Sequence, residues 1–309
     1  MSTKKKNAKR SHHPKKSVVP HVAKVSWLAG ARLRTLPLAI APVVLGAGVA
    51  ANAKHFSLVL SLLCLAVAVL LQVGVNYAND YSDGVRGTDS HRVGPARLTG
   101  SGAKNPKAVL TVALVFFGLA AVAGILVTVI SQQWWFLIVG AVAIVAAWFY
   151  TGGKRPYGYA GFGELAVFVF FGLVATEGTV FVQTRGFSTL GLWGGAAVGL
   201  LACAVLMINN VRDIATDKVA GKKTLAVRLG ERWSVVLFCG MLALPQILAG
   251  LLGLFEPAAL YTQFVWLALA PAGLIAVMAK SPAEYITVLK ITSFATLAYG
   301  VLLGLGLAL

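Results

Sequence analysis

Charged residues are scarce in this 309-residue chain. Asp, Glu, Lys and Arg together make up 12% of it, against roughly 25% in a typical soluble domain. Acidic residues are the scarcest of all, with ten in the chain and none before Asp80. Hydrophobic residues account for 58% of the sequence, and the mean hydropathy is +0.80. This composition excludes an ordinary soluble domain and predicts a membrane protein.

Cysteine is also rare, which limits the sites that the chain can build. Cys64, Cys203 and Cys239 all fall inside apolar runs, where a small polarisable side chain packs between helices. We therefore predict neither a disulfide nor a thiolate metal site. Residues 1–24 are rich in Lys, His, Ser and Pro and contain no apolar core, so we expect no cleavable signal peptide.

Apolar runs close to the roughly 20 residues that a membrane-spanning helix requires follow one another from residue 36 almost to the end. We predict an all-α membrane protein with nine transmembrane helices in a single domain, residues 26–309, behind a basic, disordered cytoplasmic tail, residues 1–25. The nine predicted spans are 36–52, 58–78, 107–130, 134–150, 164–183, 190–210, 233–254, 261–279 and 286–308.

The distribution of positive charge predicts the orientation. Of the 27 Lys and Arg residues, 24 fall on one side of the predicted membrane and two on the other, with Lys290 inside the last span. Because basic loops stay in the cytoplasm, the N-terminus is expected to be cytoplasmic. An odd number of spans then places the C-terminus outside, and the plasma membrane is the expected location.

The basic tail explains part of the net charge of +17, which in a soluble protein would suggest nucleic acid. Here the tail precedes a membrane domain and contains no acidic residue. We expect it to set the topology and to contact anionic lipids. Nucleic-acid binding is disfavoured, and no other metal ligand accompanies His12 and His13.

All five aspartates lie in two short stretches, each at the expected cytoplasmic end of an even-numbered span. The first stretch runs from Asn76 to Asp83, with Asp89 beyond it, and the second runs from Asn209 to Asp217. If the helices continue through them, each stretch forms one polar stripe. The stripes comprise Gln72, Asn76, Asn79, Asp80 and Asp83, and Asn209, Asp213 and Asp217.

Carboxylates at such spacing repel one another, so we expect a cation among them. Oxygen ligands without Cys or His favour a hard ion, and Mg²⁺ is usually held by carboxylates together with phosphate oxygens. Two stripes that face one cavity could hold Mg²⁺ and a diphosphate. The simpler alternative is solvation of two helix ends, but it explains neither the pairing nor the absence of Asp elsewhere.

The two stretches also indicate an internal repeat. Arg97-Leu-Thr-Gly follows Asp80 by seventeen residues, and Arg228-Leu-Gly follows Asp213 by fifteen. Spans 2 and 6 run in the same direction. We therefore predict two four-helix units with a ninth helix appended, arranged around a central cavity.

These motifs resemble the UbiA superfamily of intramembrane aromatic prenyltransferases over residues ~30–309, and within it the 1,4-dihydroxy-2-naphthoate polyprenyltransferases of menaquinone synthesis. The two Asp stretches resemble the whole superfamily, and the stretch from Tyr150 to Glu164 and the one from Lys223 to Gly230 resemble the naphthoate branch. Also similar are Arg34-Thr-Leu-Pro-Leu-Ala-Ile-Ala-Pro42 and Gly87-Thr-Asp89.

The resemblance implies transfer of a polyprenyl chain from a polyprenyl diphosphate to an aromatic acceptor, with loss of the ring carboxylate. It implies Mg²⁺ bound by four catalytic aspartates, Asp80, Asp83, Asp213 and Asp217. Many members place the second Asp four positions after the first, whereas Asp83 follows Asp80 by three, which leaves open whether Asp83 or Asp89 reaches the metal.

Two further sets of residues follow from the same resemblance. Residues expected to bind the diphosphate are Asn76, Asn79, Arg97, Asn209, Asn210, Lys222, Lys223 and Arg228. Residues expected near the acceptor are Arg34, Tyr150, Arg155 and Tyr157. Arg34 and Arg155 would bind its carboxylate, although positive-inside placement alone also explains them. Glu177, inside span 5, matches no motif and stays unassigned.

Three alternatives remain open. Another prenyltransferase of the superfamily would use a different acceptor, such as 4-hydroxybenzoate. The segment Asp80-Tyr-Ser-Asp-Gly84 resembles the start of a CDP-alcohol phosphotransferase signature, but the second aspartate pair lies about 130 residues away. Intramembrane carboxylates and repeats also occur in secondary transporters, whose sites lie nearer the bilayer midplane. No sequence feature predicts an oligomeric state.

Overall fold

The computed structural model describes residues 25–89 and 93–309, and the described chain is helical without β-strands. The predicted tail lies outside the described residues except for Val25, and so do the interactions expected of it with lipid. Most connections between the helices are short turns, which makes consecutive long helices antiparallel.

The first half begins with a bent entry into the bundle. The short helix α1 and a 3₁₀ turn at Leu33–Thr35 precede α2, and this entry and α2 meet at an angle of 49°. Pro37 occupies the first turn of α2, where its missing N–H costs no helical hydrogen bond. The helices of this half are α1 Trp27–Ala31, α2 Pro37–Asn52, α3 Leu58–Arg86, α4 Pro106–Ser131 and α5 Phe136–Phe149.

The second half contains one composite helix in which α6 Gly163–Val167, a π-helical segment Phe168–Val174 and α7 Ala175–Thr184 follow one another directly. A 3₁₀ turn at Tyr157–Ala160 precedes this composite helix. The remaining elements are α8 Thr189–Val219, α9 Leu225–Leu252, a 3₁₀ segment Pro257–Val265 leading into α10 Trp266–Met278, and α11 Pro282–Ala308.

All nine predicted apolar runs are helical, but not all of them are long enough to cross a bilayer alone. Among the described residues, seven helices have the necessary length and hydropathy, and the bent entry joined to α2 makes an eighth. The helix α5, with 14 residues, is shorter. The structure thus establishes an all-helical fold with seven or eight apolar helices of spanning length.

The helices α3 and α8 extend beyond their apolar runs and include both aspartate stretches. The helix α3 continues from the predicted end at residue 78 to Arg86, and α8 continues from residue 210 to Val219. A left-handed Gly87, with φ of 74°, ends α3. Both aspartate stretches are therefore helical and project from the same end of the bundle.

Close helix packing holds the second half to α2. The most extensive helix contacts pair α3 with α4, α8 with α9 and α11 with α2. A Cβ atom on Gly48 of α2 would lie 2.0 Å from the backbone oxygen of Gly304 on α11, so only glycine permits this approach. Small residues at such crossings let backbones pack closely where lipid supplies no hydrophobic drive.

The two sides of the bundle differ in packing. The large core of α2, α8, α9, α10 and α11 includes Leu201, Phe238 and Tyr299. A smaller core joins α1, α3 and α4 around Tyr77 and Phe117. No residue of α5 is buried, although this helix forms one wall of the central cavity.

Candidate active site

A cavity of about 380 Å³ lies between α2, α3, α4, α5, the composite helix and α8. Cys64 and Asp83, both on α3, line it at points 19 residues apart, which corresponds to about 28 Å along a helix. Most of this length is apolar. The charged and amide side chains gather at one end: Arg32, Gln72, Asn76, Asn79, Asp83, Arg97, Asn209, Asn210, Asp213, Asp217 and Lys222.

Lys222 connects the two aspartate stretches across the polar end. Its Nζ lies 3.7 Å from Oδ1 of Asp83 on α3 and 3.6 Å from Oδ1 of Asp217 on α8. The same ammonium lies 4.5 Å from the ring centroid of Tyr159. The two aspartate stretches therefore face each other, and the ammonium of Lys222 lies between them.

Asp80 does not line the cavity. Its carboxylate accepts the backbone N–H groups of Leu98, at 2.9 Å, and Thr99, at 2.8 Å, and the residue is 2% exposed. These bonds fix the loop that carries Arg97, whose side chain does line the cavity. Asp80 is thus separated from the other three predicted metal ligands and acts on the neighbouring loop.

Arg97 is held by carboxylates on both sides. Its Nη1 lies 3.2 Å from Oδ2 of Asp83, and its Nε lies 3.6 Å from Oδ2 of Asp89. Burial lowers the pKa of the Arg97 guanidinium, but Asp83, Asp89, Asp80 and, more weakly, Asp213 raise it further, so the net shift is upward. The guanidinium therefore stays charged, and Asp89 contacts it from outside the cavity lining.

Tyr159 is a site residue that the sequence analysis does not single out. Its hydroxyl donates a short hydrogen bond to Oδ1 of Asp83, and the guanidinium of Arg86 lies 5.4 Å from its ring centroid. Burial, followed by the charge of Asp83, raises the pKa of the phenol well above its ordinary value. Tyr159 therefore remains a neutral hydrogen-bond donor. The turn Tyr157–Ala160 contacts α3 through the Tyr159 hydroxyl and contacts the segment that carries Lys222 through the Tyr159 carbonyl.

Three amides in the two aspartate stretches have defined partners. Thr151 Oγ1 donates to Oδ1 of Asn79 at 2.7 Å, and Asn76 Nδ2 donates to the backbone oxygen of Ala31 at 3.0 Å. On α8, Nδ2 of Asn210 donates to Oε1 of Glu164 at 3.0 Å. Each amide is thereby fixed in one orientation.

Asp213 forms a two-point ion pair within its own helix. Nε of Arg212 lies 2.8 Å from Oδ1 of Asp213, and Nη2 lies 2.6 Å from Oδ2. Nη2 also donates to Oδ1 of Asn209 at 3.0 Å. Arg212 is buried, so this guanidinium compensates part of the negative charge on α8.

Besides Asp80 and Asp89, four predicted residues lie outside the cavity lining. Lys223 is exposed and contributes its backbone N–H to the carbonyl of Tyr159 at 2.8 Å. Arg228 is exposed too, and its guanidinium donates to the carbonyls of Ala160 and Lys223. The other two are Arg155, which is exposed, and Arg34, whose backbone oxygen accepts the hydroxyl of Ser293.

Tyr150 and Tyr157 both line the cavity. Their rings meet edge to face with centroids 5.6 Å apart, and the hydroxyl of Tyr157 donates to the carbonyl of Ala146 at 2.9 Å. Burial raises the pKa of Tyr157, which follows α5, to about 12. The pair forms an aromatic wall next to the polar end, where the sequence places the acceptor.

The donor types at the polar end fit a divalent cation with a diphosphate. Carboxylate and amide oxygens on α3 and α8 are ligands for a hard ion, while Arg97 and Lys222 suit phosphate oxygens. In the described part of the chain, however, no three His, Cys, Asp or Glu side chains converge into a ligand cluster. Lys222 stands between Asp83 and Asp217, in the place of a bridging cation.

Comparison with known proteins identifies the family to which the chain belongs. A model of the UbiA prenyltransferase family matches residues 39–307. The chain belongs to the UbiA prenyltransferase family.

Two curated UbiA-family relatives carry the same enzyme name. The 1,4-dihydroxy-2-naphthoate octaprenyltransferase of Mycobacterium tuberculosis (strain ATCC 25618 / H37Rv) is 50% identical over 277 residues, which cover 88% of this chain and 93% of the relative. The 1,4-dihydroxy-2-naphthoate octaprenyltransferase of Escherichia coli (strain K12) is 39% identical over 266 residues, covering 82% and 84%.

Solved structures share the UbiA fold at low sequence identity. A UbiA homologue from Aeropyrum pernix K1, solved without ligand, has a TM-score of 0.61 at 17% identity and covers 91% of this chain and 98% of its own. A UbiA homologue from Archaeoglobus fulgidus, bound to GPP and Mg²⁺, has a TM-score of 0.59 at 17% identity, covering 88% and 99%.

Within this UbiA-family site, sequence reasoning misses the residues that act through another side chain. Tyr159 and Glu164 both lie in the stretch from Tyr150 to Glu164 that resembles the naphthoate branch. Their position beside the glycines of that stretch is the sequence feature that could have identified them. Glu177, left unassigned, accepts the backbone N–H of Ser188 at 3.1 Å and ties α7 to the start of α8. It does not line the cavity.

Proposed function

We propose that this protein transfers a polyprenyl chain from a polyprenyl diphosphate to 1,4-dihydroxy-2-naphthoate. The allylic carbon–oxygen bond breaks and diphosphate leaves, a carbon–carbon bond forms to the ring, and the ring carboxylate is lost as carbon dioxide. The observation that carries the proposal is one cavity in which both aspartate stretches face each other above a long apolar channel. The curated relatives at 39–50% identity support the choice of acceptor.

The polar end suits the departure of the diphosphate. We assign Asp83, Asp213 and Asp217 as the residues that would hold Mg²⁺. Asp89 forms an ion pair with Arg97 and so helps to hold that guanidinium in place. When bound, the ion supplies Lewis-acid stabilisation of charge on the leaving group. Arg97 and Lys222 bind the diphosphate oxygens through charge-assisted hydrogen bonds, which are roughly twice as strong as neutral ones.

Water must be kept from the allylic cation before the ring attacks it. The channel wall is apolar over most of its length, from Cys64 and Val67 on α3 to Phe170 and Phe171 in the π-helical segment. A dry, apolar enclosure prevents capture by water. The ring faces of Tyr150 and Tyr157 lie beside this region, and such faces attract cations by up to ~2 kcal/mol when desolvated.

Three predicted binding residues take supporting roles in this proposal. Asp80 positions the loop of Arg97 through the amides of Leu98 and Thr99, so it acts without touching substrate. Lys223 and Arg228 hold the turn Tyr157–Ala160 against the segment that carries Lys222. Their side chains are exposed and do not line the cavity.

We further propose nine spans in the plasma membrane, with α5 as the short fourth one, and a cytoplasmic N-terminus and active site. The supporting observations are the 24-to-2 distribution of Lys and Arg and the paired packing of α3 with α4 and of α8 with α9, which suits two related units. A reporter fused after Leu309 is expected outside the cytoplasm. A cytoplasmic reporter would contradict the count.

The decisive assay uses purified protein in detergent with Mg²⁺ and octaprenyl diphosphate. It compares 1,4-dihydroxy-2-naphthoate with 4-hydroxybenzoate and follows products by mass. Product from the naphthoate alone, lighter by the carboxylate, is the expected result. Product from 4-hydroxybenzoate instead would replace the acceptor and keep the chemistry. No product from either, together with uptake of a solute into proteoliposomes, would favour a transporter.

A further inference from the structure

Glu164 is a buried carboxylate next to the cavity that the proposed chemistry leaves without a role. It lies in the first turn of α6 and is 7% exposed. We propose that Glu164 is a positioning residue that turns the amide oxygen of Asn210 toward the hydroxyl of the phenolic acceptor. This inference rests on the proposed function and deepens it, because it separates the acceptor side of the site from the diphosphate side.

The orientation of Asn210 follows from the chemistry of its partner. A carboxylate can only accept hydrogen bonds, so the 3.0 Å contact between Asn210 and Oε1 of Glu164 turns the amide nitrogen toward Glu164 and uses one of its two N–H donors. Asn210 itself lines the cavity, whereas Glu164 does not. The carbonyl oxygen of Asn210 therefore points away from Glu164, and this oxygen can accept a hydrogen bond from a ligand but repels a phosphate oxygen.

Asn79, in the other aspartate stretch, has the reverse orientation. Its oxygen accepts the hydroxyl of Thr151 at 2.7 Å, which leaves its NH₂ group for the cavity. An NH₂ group donates to phosphate oxygens, and a carbonyl oxygen accepts from a phenol. The two amides, one in each aspartate stretch, thus present opposite polarity, although the resemblance implies that both bind the diphosphate.

The surroundings of Asn210 fit a flat aromatic ring that carries a hydroxyl. A Cβ atom on Gly163 would lie 3.2 Å from the hydroxyl oxygen of Tyr150 and 3.3 Å from Leu206, so the glycine makes room for that phenol. Leu206 precedes Asn210 by one helical turn, and both line the cavity with Tyr150. An aromatic face, an aliphatic face and one hydrogen-bond acceptor therefore meet at this wall.

The position of Glu164 is itself constrained. Gly161, with φ of 90°, ends the preceding 3₁₀ turn, and the Sγ of Cys203 on α8 donates to the backbone oxygen of Glu164 at 3.0 Å. The carboxylate is thus fixed relative to α8 by two contacts, one through its backbone and one through its side chain. A ligand that needs a precise acceptor benefits from such rigidity.

The test measures KM separately for 1,4-dihydroxy-2-naphthoate and for octaprenyl diphosphate. Glu164→Ala is expected to raise the KM for the naphthoate about tenfold and to leave the KM for the diphosphate within about twofold, because one hydrogen bond to the acceptor loses its geometry. Glu164→Gln keeps an oxygen that can accept from Asn210, so it should restore the naphthoate KM to within about threefold of wild type.

Two more variants separate positioning from simple destabilisation. Cys203→Ala removes only the weak thiol contact to the backbone of Glu164 and keeps the bond from Asn210 to the carboxylate, so it should raise the naphthoate KM much less than Glu164→Ala does and leave the diphosphate KM near wild type. Asn210→Ala should raise the naphthoate KM as Glu164→Ala does, and the double variant should be no worse than either, because the two side chains act as one unit.

Other results would overturn the inference. Equal rises in both KM values, failure of Glu164→Gln to rescue, or additive effects in the double variant would each assign Glu164 a general structural role. A wild-type protein that prenylates no phenol would instead refute the proposed function itself, so the two failures are distinguishable.

Discussion

The ammonium of Lys222 lies 3.7 Å from the carboxylate of Asp83, although 139 residues separate them in the chain. A positive charge from the loop after α8 is thus held by a carboxylate at the end of α3. This ion pair closes the polar end of the cavity and joins the two halves of the bundle where the chemistry is proposed.

Loss of the Lys222 charge should weaken binding of the prenyl diphosphate. Lys222→Met keeps the length of the side chain but removes a charge-assisted hydrogen bond, so KM for the diphosphate should rise about 10- to 100-fold while KM for the naphthoate changes little. Lys223→Met is the matched control, since that side chain is exposed and its link to Tyr159 is a backbone one. Equal effects of the two substitutions would contradict the assignment.

Asp80 and Asp83 should respond differently to the same substitution. Asp83→Asn removes a charge that faces Arg97 and Lys222 in the cavity, so kcat should fall by about a thousandfold or more, in the range seen when an electrostatic catalytic group is lost. Asp80→Asn loses one of two hydrogen bonds to backbone amides, so kcat should fall by only about tenfold. Membrane insertion should stay close to wild type for Asp83→Asn, because the apolar helices are unchanged.

Tyr159 should assist without titrating. Tyr159→Phe removes the hydrogen bond to Asp83 but keeps the ring beside Lys222, so kcat/KM should fall by about three- to tenfold. Because burial and Asp83 raise the pKa of the phenol, the neutral form persists in alkaline solution. The ratio of wild-type to variant activity should therefore be constant between about pH 7 and pH 9, and a ratio that declines toward pH 9 would show that the phenol ionises in this range.

Removal of the divalent ion should abolish transfer. EDTA is expected to stop formation of prenylated product, and added Mg²⁺ should restore it, because the carboxylates at the polar end otherwise pair with Lys222, Arg97 and Arg212. Product mass detects both effects. Unchanged turnover in excess EDTA would remove the metal from the proposal.

The sequence predicts much of the fold because the apolar runs are long and are separated by clear polar or charged segments. All nine runs are helical in the structure, and the stripe through Asp83 forms because α3 continues beyond its apolar part. The sequence does not predict the π-helical segment in the fifth run, which packs through Gly172 against Gly195 and Gly199 of α8. That contact exists only in the folded bundle.

The sequence indicates which types of residue form the site, but it does not show which of their side chains point into the cavity. Neighbouring aspartates on one helix look alike in sequence, yet Asp83 faces Lys222 while Asp80 faces the backbone of a loop. Likewise Lys222 lines the cavity and Lys223 is exposed. Asp80 and Asp83 lie on nearly the same face of α3, about 60° apart, and Lys222 and Lys223 are neighbours in one turn, so the packed partner and not the spacing decides which side chain points inward.

The wall that α5 contributes is a single helix thick. None of its residues is buried, while Val139, Gly140 and Ala143 line the cavity from its inner side. In a bilayer, lipid acyl chains would cover its outer face, so the prenyl substrate and product would enter and leave the cavity from the lipid phase. The rate per enzyme would then follow the mole fraction of prenyl substrate in the lipid, and diluting vesicles of fixed composition into more buffer would leave it unchanged.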